Sequence, residues 1–212
     1  MDQKADSLLA DWIRLAGPDN AQYGRDLIAR YQENHRHYHT TEHLRHILGT
    51  LDRLGEAAPD PDAVRYAAWF HDVVYDIAAD SPLSNEERSA RLAENVLKAM
   101  HADPALITET GRLVRVTADH RPDTRHVNGQ ILCDADLAIL GADPDDYLRY
   151  CAQVREEYRV YPDDQFRPGR TAVLRTILDR PAIFRTGAGR DLFEDAARRN
   201  IKAEIDRLAG PA

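Results

Sequence analysis

The sequence predicts an all-α protein, and three observations predict it. Asp60-Pro61, Asp103-Pro104 and Asp143-Pro144 each set a capping acid before a proline at a first helical position. Ser84 and Glu87 form an S-x-x-E capping box. Apolar residues recur at helical spacing, as in Leu44, Ile47, Leu48, Leu51 and Leu54, while strand-like alternation is hard to find.

The N-terminal segment MDQKADSLLADW is amphipathic and contains acids, so it reads as a helix over 3–16 and not as a signal peptide. A second helix is expected over 20–35. The third, 41–57, is capped by Thr40 or Thr41. The fourth, 61–76, carries Val64, Ala67, Ala68, His71, Val74 and Tyr75 on one stripe. The capping box opens 84–101, and Leu106, Thr110, Leu113, Val114 and Thr117 mark 104–119. Helices over 130–140, 144–160, 164–179 and 189–208 complete the set. Loops are expected at 77–83, 121–129 and 180–188, the last containing RTGAGR as a flexible surface turn that matches no phosphate-loop pattern. With no repeat and no convincing boundary, residues 1–212 read as one domain.

Composition narrows the function. The 43% apolar and 30% charged residues suit a soluble globular chain, and the net charge of −8 argues against general nucleic-acid binding. Cys133 and Cys151 form no CxxC pair, which fits a reducing compartment and excludes a cysteine-rich zinc site. No apolar run is long enough to span a bilayer, so no membrane partner and a cytoplasmic location are expected.

Candidate chemistry starts at FHDVVYD, residues 70–76, where His71 and Asp72 interrupt an apolar segment. Burying both is costly unless they are paired. Alone, His71 reads as a hydrogen-bonded core residue. Upstream, NHRHYHTTEHLRHI holds His35, His37, His39, His43 and His46. His43 shares the face of Ile47, Leu51 and Leu54 and points inward, His39 lies in the turn that leads into the helix, and His46 is one step off the buried face. Downstream, ILCDADLAILG offers Asp134 and Asp136, whose spacing of two keeps both from facing one site. Two neutral imidazoles and two carboxylates balance one divalent ion, and this donor set suits zinc, manganese, iron, nickel or cobalt, with magnesium also a candidate. The alternative is two separate buried His–Asp hydrogen bonds.

The ordered set YHTTEH, His-Asp and DADL resembles the HD-domain superfamily of metal-dependent phosphohydrolases. The whole chain, with EYRVYPDDQFRPGRTAVLRTIL, resembles a bacterial group of predicted HD phosphohydrolases without an assigned substrate. The resemblance implies an HD-type helical bundle with a metal core at about 35–140 and a helical C-terminal extension at about 141–212. It implies His43, His71, Asp72 and Asp136 as metal ligands, with Asp134 as a supporting or helix-start acid. YHTTEH is also similar to the YHNxxH of cyclic-nucleotide phosphodiesterases, which makes His39 a candidate general acid. His120 is either a ligand to a second metal or phosphate, or a cationic helix C-cap. Glu86 either orients water or is a solvated first-turn acid. Among Arg155, Arg159, Arg167 and Arg170, the choice for phosphate contact is Arg167 and Arg170, the alternative being surface pairing with Glu156, Glu157, Asp163 and Asp164.

The expected activity is hydrolysis of a phosphate ester of a small molecule, plausibly a nucleotide, by metal-activated water. The alternatives are an HD-type di-iron oxygenase and a non-catalytic metal- or nucleotide-binding regulator. The amphipathic N-terminal segment could serve a homodimer, which the sequence does not decide.

Overall fold

The structure, a computed structural model, describes residues 3–54, 58–77 and 81–210. Among them the chain forms ten α-helices and no strand. The helices are α1 (Gln3–Ala16), α2 (Ala21–Tyr31), α3 (Thr41–Leu54), α4 (Pro61–Phe70), α5 (Asn85–Ala99), α6 (Pro104–Val116), α7 (Val127–Leu137), α8 (Pro144–Glu157), α9 (Asp163–Leu178) and α10 (Gly187–Ala209). Short 3-10 turns at Pro18–Asn20 and Ala138–Gly141 join α1 to α2 and extend α7. The capping residues act as their chemistry requires. Asp60, Ser84 and Asp103 accept the backbone N–H of Ala63, Glu87 and Ala105.

Apolar burial is divided between two clusters. The first gathers the inner faces of α1 to α7 around Trp12, whose ring meets Tyr66, Trp69 and Phe70 edge-on at 5.8, 5.2 and 6.0 Å. A Cβ at Gly24 would overlap the Trp12 ring, so this glycine is what lets α2 close on α1. The second cluster joins the end of α7 to α8, α9 and α10 through Leu140, Tyr147, Leu174, Phe184 and Ile201. Phe193 packs against both. The candidate site lies in the seam, with α3, α4 and α7 on one side and α8 and α9 on the other.

Several boundaries differ from the sequence reading, each for a physical reason. The helix expected over 20–35 stops at Tyr31, and the one expected over 61–76 stops at Phe70. The first runs out in tight turns, the Gln32 and Glu33 N–H groups meeting the Ala29 and Arg30 carbonyls, and one side chain accounts for the second. The Arg36 guanidinium, buried between the Tyr31 and Tyr75 rings, donates to the carbonyls of His39, Asp72 and Val73. His71 keeps helical angles and its N–H still reaches the Ala67 carbonyl at 2.8 Å. Beyond it the ladder is replaced: Ser89 Oγ takes the Val74 N–H at 3.0 Å. The HDVVYD segment is therefore a braced turn and not a helix. Helix α7 begins at Val127, three residues before the expected 130, and yields to the 3-10 turn after Leu137. The RTGAGR segment is not a slack surface turn. Thr186 caps α10 by accepting the Gly189 N–H at 2.8 Å. Residues 55–57 of the expected third helix and 78–80 of the expected loop lie outside the described residues.

Candidate metal centre

Three helices deliver the site. Thr40 caps α3, its carbonyl receiving the Leu44 N–H at 3.1 Å and its Oγ1 the Glu42 N–H at 3.3 Å. His43 follows within the first turn and is buried. His71 ends α4 at 1% exposure. Its Nδ1 lies 2.8 Å from the Ala68 carbonyl, which can only accept, so Nδ1 carries a proton and Nε2 is the ring atom turned into the site, where it could serve a metal once deprotonated. Asp72 follows from the braced turn, and Asp136 comes from the last turn of α7.

Their polar atoms converge. His43 Nε2 and His71 Nε2 are 3.1 Å apart. Asp72 Oδ2 stands 3.0 Å from His71 Nε2 and 3.5 Å from His43 Nε2. Asp136 Oδ1 stands 3.3 Å from His43 Nε2 and 3.7 Å from His71 Nε2. His43, His71 and Asp72 thus each offer a ligand atom within 4.8 Å of the others and could hold a metal ion. The spacing fits one: donors about 2.1 Å from a shared ion and at right angles stand about 3 Å from each other.

The electrostatics favour positive charge. Burial pushes both histidines down, but hydrogen bonds that the Asp136 and Asp72 carboxylates accept outweigh it for His43, and the charges of Asp72 and Asp136 hold His71 up at about 9. Burial pushes the two acids up, yet the histidines hold them well below the usual carboxylate range.

The two acids of α7 face opposite ways. Asp134 is fully buried and turned towards α10, where it accepts the backbone N–H groups of Arg185 and Thr186 and the Thr186 hydroxyl, each at 2.7 Å. It is a helix-start acid, but for α10 and not for its own helix. A Cβ at Gly189 would overlap its carboxylate, so a glycine is required where α10 passes over it. Asp136 alone of the pair reaches the cluster.

His120 joins from the end of α6. Its φ of +51° is in the left-handed region, which costs a non-glycine residue about 1–2 kcal/mol. Arg180 clamps it there by donating to the carbonyls of His120 and Asp119. The ring meets Asp136 Oδ2 at 2.7 Å, so the side chain serves the cluster and does not cap α6.

A cleft of about 300 Å³ opens beside the cluster, and His39, Glu86, His120 and Arg170 line it with Asp72 and Asp136. His39 Nε2 is 3.8 Å from Asp72 Oδ2, and its Nδ1 is 2.7 Å from Glu157 Oε2. The expectation for Arg167 is corrected: it does not line the cleft, and its Nη1 donates to the Gly210 carbonyl at 2.7 Å. Arg170 lines the cleft, but Glu204 (2.8 Å) and Tyr150 Oη (3.0 Å) engage its guanidinium. Arg155 and Arg159 pair at the surface with Asp163 and Glu156.

The sequence reading missed Glu157, which it grouped with surface acids. Its side chain is fully enclosed, and Oε1 accepts three consecutive backbone N–H groups, those of His37, Tyr38 and His39, at 2.8–2.9 Å. Oε2 faces His39 Nδ1 and accepts from Tyr75 Oη at 3.0 Å. Burial pushes this carboxyl up, and the His39 and backbone hydrogen bonds overcome that to leave it at about 2. A signal was present. Glu157 continues the buried stripe Tyr147, Tyr150 and Val154 at helical steps, as Glu204 continues Ala197 and Ile201. Arg36 carried no comparable sign.

No helix among the described residues is long and apolar enough to cross a membrane. Comparison with family models, curated proteins and solved structures gave no match. What fold and site define is an all-α protein with a histidine–aspartate cluster able to hold a metal ion.

Proposed function

We propose that the chain is a metal-dependent phosphohydrolase that cleaves a phosphate ester of a small molecule with water. The observation that supports it most is the meeting of His43, His71, Asp72 and Asp136 beside a cleft that Asp72 and Asp136 line together with an independently braced imidazole, His39. The first four would hold one divalent ion. Such an ion supplies hydroxide at neutral pH and positive charge opposite the phosphoryl oxygens.

The chain's own groups perform the rest. The Glu157 carboxylate accepts from Nδ1 of His39 and fixes the orientation of its ring, the role a carboxylate plays behind a catalytic histidine. His39 Nε2 then faces the cleft and can give a proton to the leaving oxygen. Glu86, across the same cleft, accepts a proton from the attacking water. His120 holds Asp136 by its second oxygen.

A second reading, an oxygen-using di-iron centre, is favoured by one observation: His120 supplies a further imidazole beside Asp136. Metal stoichiometry separates the two. The test is phosphate release from a panel of phosphate esters by protein loaded in turn with manganese, iron, nickel, cobalt, zinc or magnesium. The expected result is turnover that His39→Ala and Asp72→Ala abolish. Stoichiometric metal without any phosphate release would overturn the hydrolase reading.

A further inference from the structure

We infer that the cleft takes a phosphomonoester or phosphonate carried on a compact aromatic or apolar body, and rejects polyphosphates. This inference rests on the hydrolase reading for the identity of the site, but it stands on different observations.

The first is charge. Among the described residues lining the cleft, Arg170 is the one guanidinium or ammonium, against the carboxylates of Asp72, Glu86 and Asp136. Arg170 is not free to meet an anion. Glu204 takes it at 2.8 and 3.3 Å, and the pair is shielded, with side chains 12% and 6% exposed. A terminal phosphoryl group can be met at the histidine–aspartate cluster. Each further phosphate would lie beside these carboxylates and the apolar side chains of α8 and α9, with no free guanidinium or ammonium among the described lining residues to offset its charge, which is unfavourable for any desolvated anion.

The second is the aromatic wall beside the cluster, where the Tyr38 ring lies 4.7 Å from that of His43. Tyr38, Tyr75, Tyr150 and Tyr158 contribute rings. The Tyr75 hydroxyl is committed to Glu157, and the Tyr150 hydroxyl accepts from Arg170, so these rings offer aromatic surface in place of polar contacts. Val154, Val173, Leu174 and Ile177 continue the surface outwards along α8 and α9. Val173, 53% exposed, carries this apolar surface to the rim of the cleft.

The third is size. At about 300 Å³ the cleft is at the small end of ligand pockets, which run from about 300 to 1,000 Å³. A single ring with one phosphoryl group is accommodated within it, and a large polyphosphorylated ligand is not.

The test uses the full chain loaded with manganese and three probes: phenylphosphonate, inorganic phosphate and inorganic triphosphate, measured by calorimetry. Phenylphosphonate should bind about tenfold more tightly than either of the others, because only it buries apolar surface on the tyrosine wall. A Val173→Ser, Ile177→Ser variant should lose most of that advantage and keep its affinity for inorganic phosphate. Triphosphate binding as tightly as phenylphosphonate, or no phenylphosphonate binding at all, would overturn the inference. Hydrolysis of phenyl phosphate, followed separately, reports on the hydrolase reading. Selective phenylphosphonate binding without turnover would sink that reading and leave the ligand class standing. Turnover with a preference for triphosphate would do the reverse.

Discussion

Glu157 holds His39 at two points across 118 residues of sequence, the backbone N–H at 2.9 Å and Nδ1 at 2.7 Å. One carboxylate thereby sets both the path of the chain into α3 and the orientation of the ring. Glu157→Gln keeps the volume but removes the negative charge and supplies N–H groups where acceptors are needed. The expected outcome is a folded protein, destabilised by about 1–3 kcal/mol, that retains metal by elemental analysis. Its kcat for phosphate release should fall by about 10²-fold, as removal of proton-transfer catalysis does. An unchanged kcat in the folded variant would exclude His39 as proton donor.

The same carboxylate makes stability depend on pH. Its folded value, about 2, lies below the ordinary glutamate value of 4.5. Its contribution is therefore complete above about pH 4.5 and is lost as pH falls towards 2, up to about 3 kcal/mol. Urea unfolding followed from pH 5 to pH 2 should show wild-type stability falling more steeply than that of Glu157→Gln. Parallel curves would mean that the carboxylate is not held in its charged form.

The acids at 134 and 136 should separate cleanly. Asp136→Ala removes a group that faces His43, His71 and His120 and should lose bound metal while the protein stays folded. Asp134→Ala leaves two backbone N–H groups at the start of α10 without their acceptor. It should cost about 2–5 kcal/mol of stability with metal content kept. Elemental analysis and denaturant midpoints of both variants read this directly. The reverse pattern would contradict the orientation of α7.

Metal bound only to the folded chain stabilises it by mass action, by about 2.7 kcal/mol at a hundredfold excess over Kd. For a chain of this size that is a Tm shift of about 5–10 °C. A chelator should therefore lower the Tm of the wild type and leave that of Asp72→Ala almost unmoved. Equal responses would mean that His71 and Asp72 are a hydrogen-bonded core pair and no more.

The sequence made the fold class and much of the cluster legible because both are local. Caps and periodicity are written in neighbouring residues, and His43 and His71 occupy stripe positions that pack inward whatever surrounds them. The choice of Asp136 came from the resemblance and not from spacing. What stayed hidden depends on partners distant in the chain. The end of α4 is set by Arg36, more than thirty residues away. Arg167 and Arg170 lie one turn apart on α9, and what separates them is what α10 and its end present, a carbonyl to one and Glu204 to the other. Glu157 looks like any acid at the end of a polar helix until the loop that it serves is in place.

That loop is made by the first fifth of the chain and completed by α8, so the order of synthesis matters. A ribosome delivers His39, His43, His71 and Asp72 well before Glu157 emerges. Until then three backbone amides and one imidazole lack the acceptor that fixes them. The half-made chain therefore carries His39 without its final geometry, and the arrival of α8 sets when that ring is fixed. The C-terminal helices are in this sense a latch: a chain cut off after the DADL turn would keep the four donor residues and lose the carboxylate that aims His39.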